Sequence, residues 1–96
     1  MLIITIKANP LAHFKQAFTE EFKQLAKIVR KEDGCLEYEL YQKDLLATEL
    51  FLFERWDSQE ALDAHMKTEH MEKFFTLTKE WFGTENEMKI YQVEHK

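Results

Sequence analysis

The strongest constraint on the fold of this chain is the order in which its hydrophobic periodicity changes. Four short segments are either β-branched or alternate between apolar and polar residues, whereas apolar residues recur at spacings of three and four in the longer stretches between them. A period of two indicates a β-strand, and a period near 3.6 indicates an amphipathic helix. The segments that predict strands are residues 1–8, 35–42, 50–57 and 87–94. The predicted order of elements is therefore βαββαβ.

This order is typical of a ferredoxin-like α+β fold, in which a four-stranded antiparallel sheet carries helices on one face. The two middle strands are joined by a short connection, residues 43–49, so we expect them to form an antiparallel hairpin. A chain of 96 residues accommodates one domain, and we expect a single domain over residues 1–96.

The first helix has recognisable start and stop signals. Asn9 is a predicted N-cap, and Pro10 suits the first helical position because its missing N–H has no partner there in any helix. The apolar stripe continues to Val29, and we expect the helix to end near Lys31. Gly34 follows and is free to adopt a left-handed conformation.

The second helical region is predicted to consist of two pieces. Asp57 and Glu60 have the spacing of a capping box, which predicts a helix start there. The pattern breaks near Thr68-Glu69. A further helix is predicted from Met71 to Phe82, ended by Gly83.

The third strand is apolar on both faces. Leu50, Leu52 and Trp56 lie on one face, and Phe51 and Phe53 lie on the other. Helices can cover only one of these faces, and a bare apolar sheet face of this size marks an interaction site. We therefore expect a homodimer through the sheet face, related by a two-fold axis.

The charge balance excludes several classes of partner. The chain has 13 Lys and Arg against 18 Asp and Glu, for a net charge of −5. Nucleic acids and anionic membranes both require a cationic surface, so neither is an expected partner. The single cysteine, Cys35, permits no internal disulfide and fits a reducing cytoplasm. No signal peptide or membrane span is expected.

Three short motifs carry a resemblance to a known family. They are Gly34-Cys35-Leu36-Glu37-Tyr38, then Glu54-Arg55-Trp56-Asp57-Ser58, then Ala64-His65-Met66-Lys67-Thr68-Glu69-His70. In this order and spacing they resemble the antibiotic biosynthesis monooxygenase superfamily, and within it the quinol monooxygenase-like branch. The resemblance covers residues 34–75. It implies a dimeric α+β barrel, a pocket between sheet and helices in each subunit, and in some members oxygenation of a phenolic or quinol substrate without a cofactor.

His65 and Glu54 are the candidate catalytic residues. His65 lies on the apolar side of its helix, and an imidazole titrates near neutral pH, so it suits a general base for a phenolic proton. Glu54 shares a strand face with Leu52 and Trp56, where it could orient His65. The structural alternatives are a core histidine and a salt bridge from Glu54 to a helix.

Aromatic residues supply candidate walls for a small aromatic substrate. Tyr38 and Trp56 could stack on a flat ring from the sheet, and Phe74, Phe75 and Trp81 could close the pocket from the helices. The alternative is that these side chains are simply core.

No metal or organic cofactor is expected. His65 and His70 are five residues apart, about 140° around an unbroken helix, so they could not share a metal there. His13 and His95 are predicted at the surface, and Cys35 lacks a basic neighbour that would activate it. The sequence has no glycine-rich motif for a nucleotide cofactor.

The favoured interpretation is a cofactor-independent monooxygenase that oxidises a quinol or polycyclic phenol with O₂. The alternative from another class is a non-catalytic dimer that binds a small molecule or acts in a stress response. An isomerase of a phosphorylated signalling sugar is a minor alternative, for which Arg55 is the sole candidate cation. Haem degradation is disfavoured because family members with that activity use a histidine on the last helix, and residues 71–82 contain none.

Overall fold

The computed structural model describes residues 1–94, and it confirms the ferredoxin-like α+β fold. The four strands form one antiparallel sheet in the order β2-β3-β1-β4. They are β1 (Leu2–Ala8), β2 (Cys35–Gln42), β3 (Leu50–Trp56) and β4 (Glu87–Gln92). The helices are α1 (Lys15–Val29), α2 (Gln59–Met66) and α3 (Glu69–Thr78). Within residues 1–94, none of the helices is both long and apolar enough to cross a membrane.

The register of the central strands separates the two faces of the sheet. In β3, Leu50, Leu52, Glu54 and Trp56 are buried towards the helices, opposite alternate residues of β1. The intervening side chains, including those of Phe51 and Phe53, point to the outer face and remain partly exposed. The predicted division of β3 into two apolar faces is therefore confirmed.

Aromatic packing joins α1 to the sheet and to α3. The rings of Phe22 and Tyr38 stack with centroids 5.1 Å apart. Phe18 contacts Phe74 and Phe82, with centroid distances of 5.6 and 5.4 Å. Burial of each such side chain contributes on the order of 2 kcal/mol. These contacts fix the helices at the distance from the sheet that defines the site below.

The start of the first helix differs from the prediction at Asn9-Pro10. A single 3₁₀ turn, Ala12–Phe14, comes first, and α1 begins at Lys15. The predicted capping atom, Asn9 Oδ1, instead accepts a hydrogen bond from the hydroxyl of Thr48. A tertiary contact therefore occupies the side chain that would otherwise have capped the helix, and the helix begins later in the chain.

A bulge interrupts the alternation of side chains at the start of β2. Cys35 and Glu37 are opposite Trp56 and Arg55, so Leu36 is an extra residue between two pairs. Leu36 is consequently exposed, and Cys35 packs against the core. Beyond the bulge, Tyr38 faces the helices as predicted.

The ends of the later elements also differ in detail. Ser58, rather than Asp57, caps α2, because its Oγ accepts from the backbone N–H of Ala61. The predicted break is confirmed, and Thr68 caps α3. However, α3 ends at Thr78 instead of Phe82, and β4 ends at Gln92 rather than residue 94.

Gly34 allows the turn between α1 and β2 to approach α2 closely. It has φ +83°, the left-handed conformation predicted for it. A Cβ at this position would lie 2.5 Å from Ala61 Cβ and 2.6 Å from Asp57 Oδ1. The contact with Ala61 Cβ cannot be relieved without movement of the backbone, because that atom is fixed to the main chain of α2.

We therefore expect Gly34→Ala to lower the free energy of unfolding by about 2 kcal/mol or more, from backbone strain and steric overlap together. Urea denaturation measures this change. Gly83→Ala is the matched control, because its Cβ would meet only the movable end of Leu11, 3.1 Å away. Equal stabilities of the two variants would contradict this account of Gly34.

Candidate active site

A cavity of about 360 Å³ lies between the sheet and helices α2 and α3. Most of its wall is apolar, from both the sheet and the helices. Its principal lining residues are Ile4, Ile6, Phe18, Tyr38, Leu52, Glu54, Leu62, His65, Met71, Phe74, Phe75, Phe82, Met88 and Ile90. The predicted hollow beside an inward-facing His65 is therefore present.

His65 is held between two aromatic rings of the sheet. It lies in the last turn of α2, on the face that carries Leu62, and is only 1% exposed. The ring centroid of Trp56 is 4.5 Å away, and Tyr38 presents an edge-on contact at 5.7 Å. The imidazole thus has a fixed position at the wall of the cavity.

The two ring nitrogens of His65 have different environments. Nδ1 lies 3.0 Å from Glu32 Oε2, and the carboxylate can accept its hydrogen. Within residues 1–94, Nε2 has no hydrogen-bond partner. Because His65 lines the cavity, Nε2 is the ring nitrogen available to a ligand there. With the hydrogen on Nδ1, Nε2 presents a lone pair to a ligand.

Burial favours the neutral form of this imidazole. Desolvation lowers the pKa of His65 below its usual value of 6.5, while the hydrogen bond to Glu32 acts in the opposite direction. A neutral ring at neutral pH is the form that can accept a proton.

Glu32 was not predicted as a site residue, and it holds two histidines. Its Oε2 also lies 2.8 Å from His70 Nε2, in the first turn of α3. A weak signal for Glu32 does exist, since a carboxylate just after the C-terminal end of α1 is unfavourable for the helix dipole. Such a residue often has another partner.

The break between α2 and α3 changes the expectation about His65 and His70. Their separation around one continuous helix does not apply, because the chain changes direction at Thr68. One ligand-type atom from each of Glu32, His65 and His70 lies within 4.8 Å of the others. The donor set suits a divalent metal, and without one the two imidazoles can each donate an N–H to Glu32 Oε2. His70 also lies within the last helix, contrary to the predicted absence of histidine there, yet it is not part of the cavity wall.

Glu54 lines the cavity beside His65 but does not pair with it. Trp56 Nε1 donates to Glu54 Oε1 at 3.0 Å, so the predicted orienting role falls to Glu32 instead. Burial raises the pKa of Glu54 to about 7, against the lowering effect of the Trp56 hydrogen bond. Glu54 is consequently able to exchange a proton near neutral pH.

Tyr38 adds a hydroxyl donor to this end of the cavity. Its OH makes only a long contact, 4.0 Å, with Met71 Sδ. Burial raises the pKa of the Tyr38 phenol far above its usual value, so the group stays protonated. It can therefore donate to an oxygen of a bound ligand.

The five predicted pocket residues are divided by the structure. Tyr38, Phe74 and Phe75 line the cavity. Trp56 does not, because it is fully buried behind His65 and Glu54. Trp81 does not either, because α3 ends before it and its ring stacks on Phe14 at 5.1 Å.

Three further residues singled out in the sequence, Arg55, Cys35 and His13, do not line the cavity. Arg55 points to the outer face of the sheet, where its Nε lies 2.6 Å from Glu37 Oε1. Among residues 1–94, the cavity wall contains no Lys or Arg that could pair with the phosphate of a sugar substrate. Burial raises the pKa of the Cys35 thiol to about 11, which agrees with its predicted lack of reactivity. His13 is exposed as predicted, and His95 lies outside the described residues.

Comparison with known families identifies the chain. A family model described as antibiotic biosynthesis monooxygenase matches residues 1–77. The chain belongs to the antibiotic biosynthesis monooxygenase family. Among curated proteins, this family member is similar to the probable quinol monooxygenase YgiN of Escherichia coli K12. The two are 27% identical over 86 residues, which is 81% of this chain and 83% of YgiN.

Solved structures have the same fold as this antibiotic biosynthesis monooxygenase family member. A conserved protein from Methanosarcina mazei Go1 is 28% identical with a TM-score of 0.90, and the match covers 97% of this chain and 92% of that one. Rv0793 from Mycobacterium tuberculosis is 24% identical with a TM-score of 0.89, covering 99% and 96% of the respective chains. The second similarity concerns the fold alone.

The raised pKa of Glu54 predicts a pH-dependent effect of Glu54→Gln. Between its ordinary pKa of 4.5 and the folded value of about 7, the folded state binds more protons than the unfolded state. The free energy of unfolding of the wild type therefore falls as pH rises through this window. Glutamine does not ionise and so avoids the cost of a buried charge. The free energy of unfolding of the variant relative to wild type should therefore rise by about 3 kcal/mol from pH 4.5 to pH 8.

Urea denaturation at a series of pH values measures this difference. His65 is present in both proteins, so its own titration cancels to first order. A difference between variant and wild type that stays constant with pH would contradict the raised pKa of Glu54.

Proposed function

We propose that this chain is a cofactor-independent monooxygenase that oxidises a quinol or a polycyclic phenol with O₂. The observation that carries the proposal is a cavity with apolar and aromatic walls that is lined by the His65 imidazole, whose Nδ1 is bonded to Glu32. The family and the similarity to YgiN support the same reaction class.

The first step of the proposed reaction is a proton transfer. The hydroxyl of a bound quinol gives its proton to His65 Nε2, and Glu32 stabilises the resulting imidazolium through Nδ1. Tyr38 and Glu54 lie at the same end of the cavity and can hold a second oxygen of the substrate. The apolar wall excludes water from the reacting groups.

The remaining steps use only the substrate and O₂. The quinolate gives one electron to O₂, which yields a semiquinone and superoxide. These radicals combine at a ring carbon to form a C–O bond, and the imidazolium returns its proton to the peroxide. The O–O bond of the hydroperoxide then breaks. Its outer oxygen leaves as hydroxide and combines with the proton lost from the same ring carbon to give water, and that carbon becomes a carbonyl. One quinol and one O₂ thus give one hydroxylated quinone and one water.

His65→Ala should abolish this activity. Measured as oxygen uptake with menadiol above the rate in buffer, the loss should be about 100-fold or more, the usual contribution of a general base. Glu32→Gln should cause a smaller loss, about tenfold, because an amide oxygen still accepts the Nδ1 hydrogen but carries no charge. His13→Ala, at an exposed position, is the control.

Two results would refute the proposal. Wild type that consumes no more oxygen than buffer would leave a protein that binds a small molecule without chemistry. Loss of activity in EDTA, restored by a divalent metal, would instead make Glu32, His65 and His70 a metal centre.

We also propose that two copies associate through the outer face of the sheet. Phe51 and Phe53 lie on this face, away from the helices, and Tyr41 and Tyr91 are about half exposed there, at 53% and 48%. Apolar area of this kind is stabilised by a second sheet.

Phe53→Glu should therefore convert a dimer to a monomer, because the interface would bury an unpaired charge. Sedimentation velocity measures the change in mass. Leu77→Glu, on the exposed side of α3, is the control and should leave the dimer intact. A wild-type monomer, or a Phe53→Glu dimer, would contradict this interface.

A further inference from the structure

The polarity of the cavity is opposite to that of an ordinary surface cleft. Its polar groups are at the deep end, where Tyr38, Glu54 and His65 are only 1–5% exposed. Its outer end is open and includes exposed apolar side chains, with Phe75, Met88 and Ile90 exposed by 47%, 55% and 51%. A contiguous apolar rim on an exposed surface marks a ligand site.

The sheet continues the apolar wall outwards along β4. Ile90 is the cross-strand partner of Ile4, and Met88 is the partner of Ile6. All four side chains line the cavity, so one apolar strip runs from its floor to the exposed edge of the sheet. The rim on α2 is mixed, because Met66 is 47% exposed there while Gln59 and Asp63 hydrogen-bond to each other at 2.9 Å.

The volume limits what the cavity can enclose. About 360 Å³ is near the lower end of the range for small-molecule sites, roughly 300–1,000 Å³. A single fused-ring system fits at the deep end, and any substituent on it must extend through the rim. On β4 that rim is apolar, at Met88 and Ile90.

We infer that the substrate is a hydroxylated aromatic ring that carries an apolar side chain. The ring enters first and places its oxygens at Tyr38, Glu54 and His65, while the side chain lies along Met88 and Ile90. The chemistry of the ring rests on the proposed function. The side chain and its location rest on the exposed apolar strip.

Binding of oxidised quinones tests this inference without turnover. Three probes share one naphthoquinone ring, namely 2-methyl-1,4-naphthoquinone, its derivative with one five-carbon isoprenyl chain, and a derivative with a chain of equal length that ends in a carboxylate. Isothermal titration should give the isoprenyl compound a Kd about tenfold lower than that of 2-methyl-1,4-naphthoquinone, since the strip buries part of the chain. The carboxylate compound should gain nothing.

Substitutions on β4 locate the side chain. In Met88→Gln with Ile90→Gln, the ratio of the Kd values for the two uncharged compounds should fall to about one. The single variants Ile90→Gln and Met88→Gln serve the same purpose where the double variant does not fold. Leu77→Gln is the control, because Leu77 is equally exposed on α3 but lies outside the cavity, and it should keep the tenfold ratio.

The outcomes separate this inference from the proposed function. Equal Kd values for the two uncharged compounds in wild type overturn the inference, as does a tenfold ratio that persists in the β4 variants. Oxygen uptake with quinols alongside equal Kd values leaves the proposed function standing. A tenfold ratio without any oxygen uptake supports the side-chain site and refutes the oxygenase.

Discussion

The close approach of Gly34 to the first turn of α2 determines the geometry of the site. Only a residue without a side chain fits there, and the backbone N–H of Asp57 donates to Gly34 O at 2.9 Å across the contact. Glu32 precedes this turn by two residues and is thereby placed against α2 and α3. Its carboxylate then receives His65 and His70. A looser turn would leave the imidazole at the cavity wall without its fixed tautomer.

The sequence predicts the parts of the fold that depend on local periodicity. The order of elements, the faces of β3 and the inward direction of His65 all follow from side-chain spacing, and the structure agrees. The left-handed turn at Gly34 also follows from the sequence, although α1 ends at Val29 rather than near Lys31. The start of α1 could not be predicted in the same way. Asn9-Pro10 favours a helix locally, but Leu11 N–H donates to Trp81 O, a contact 70 residues away in sequence that holds the segment extended.

The site itself was only partly visible in the sequence for a similar reason. His65 and Glu54 were recognisable because a polar residue among apolar neighbours stands out in a pattern. Glu32 lies in a charged stretch, Lys31-Glu32-Asp33, and becomes distinctive only through a partner 33 residues later. The bulge at Leu36 is also invisible to periodicity, because one inserted residue reverses the apparent faces of the strand before it.

The position of Trp56 gives the molecule an optical consequence. Its indole is fully buried, its centroid is 4.5 Å from that of His65, and its Nε1 donates to Glu54, so this fluorophore contacts two residues that line the cavity. The second indole, Trp81, stacks on Phe14 near the beginning of α1 and senses a separate environment. The fluorescence of the two indoles therefore reports on two different places in the molecule. In a Trp81→Phe variant, the remaining emission comes from Trp56, which is in contact with the His65 imidazole.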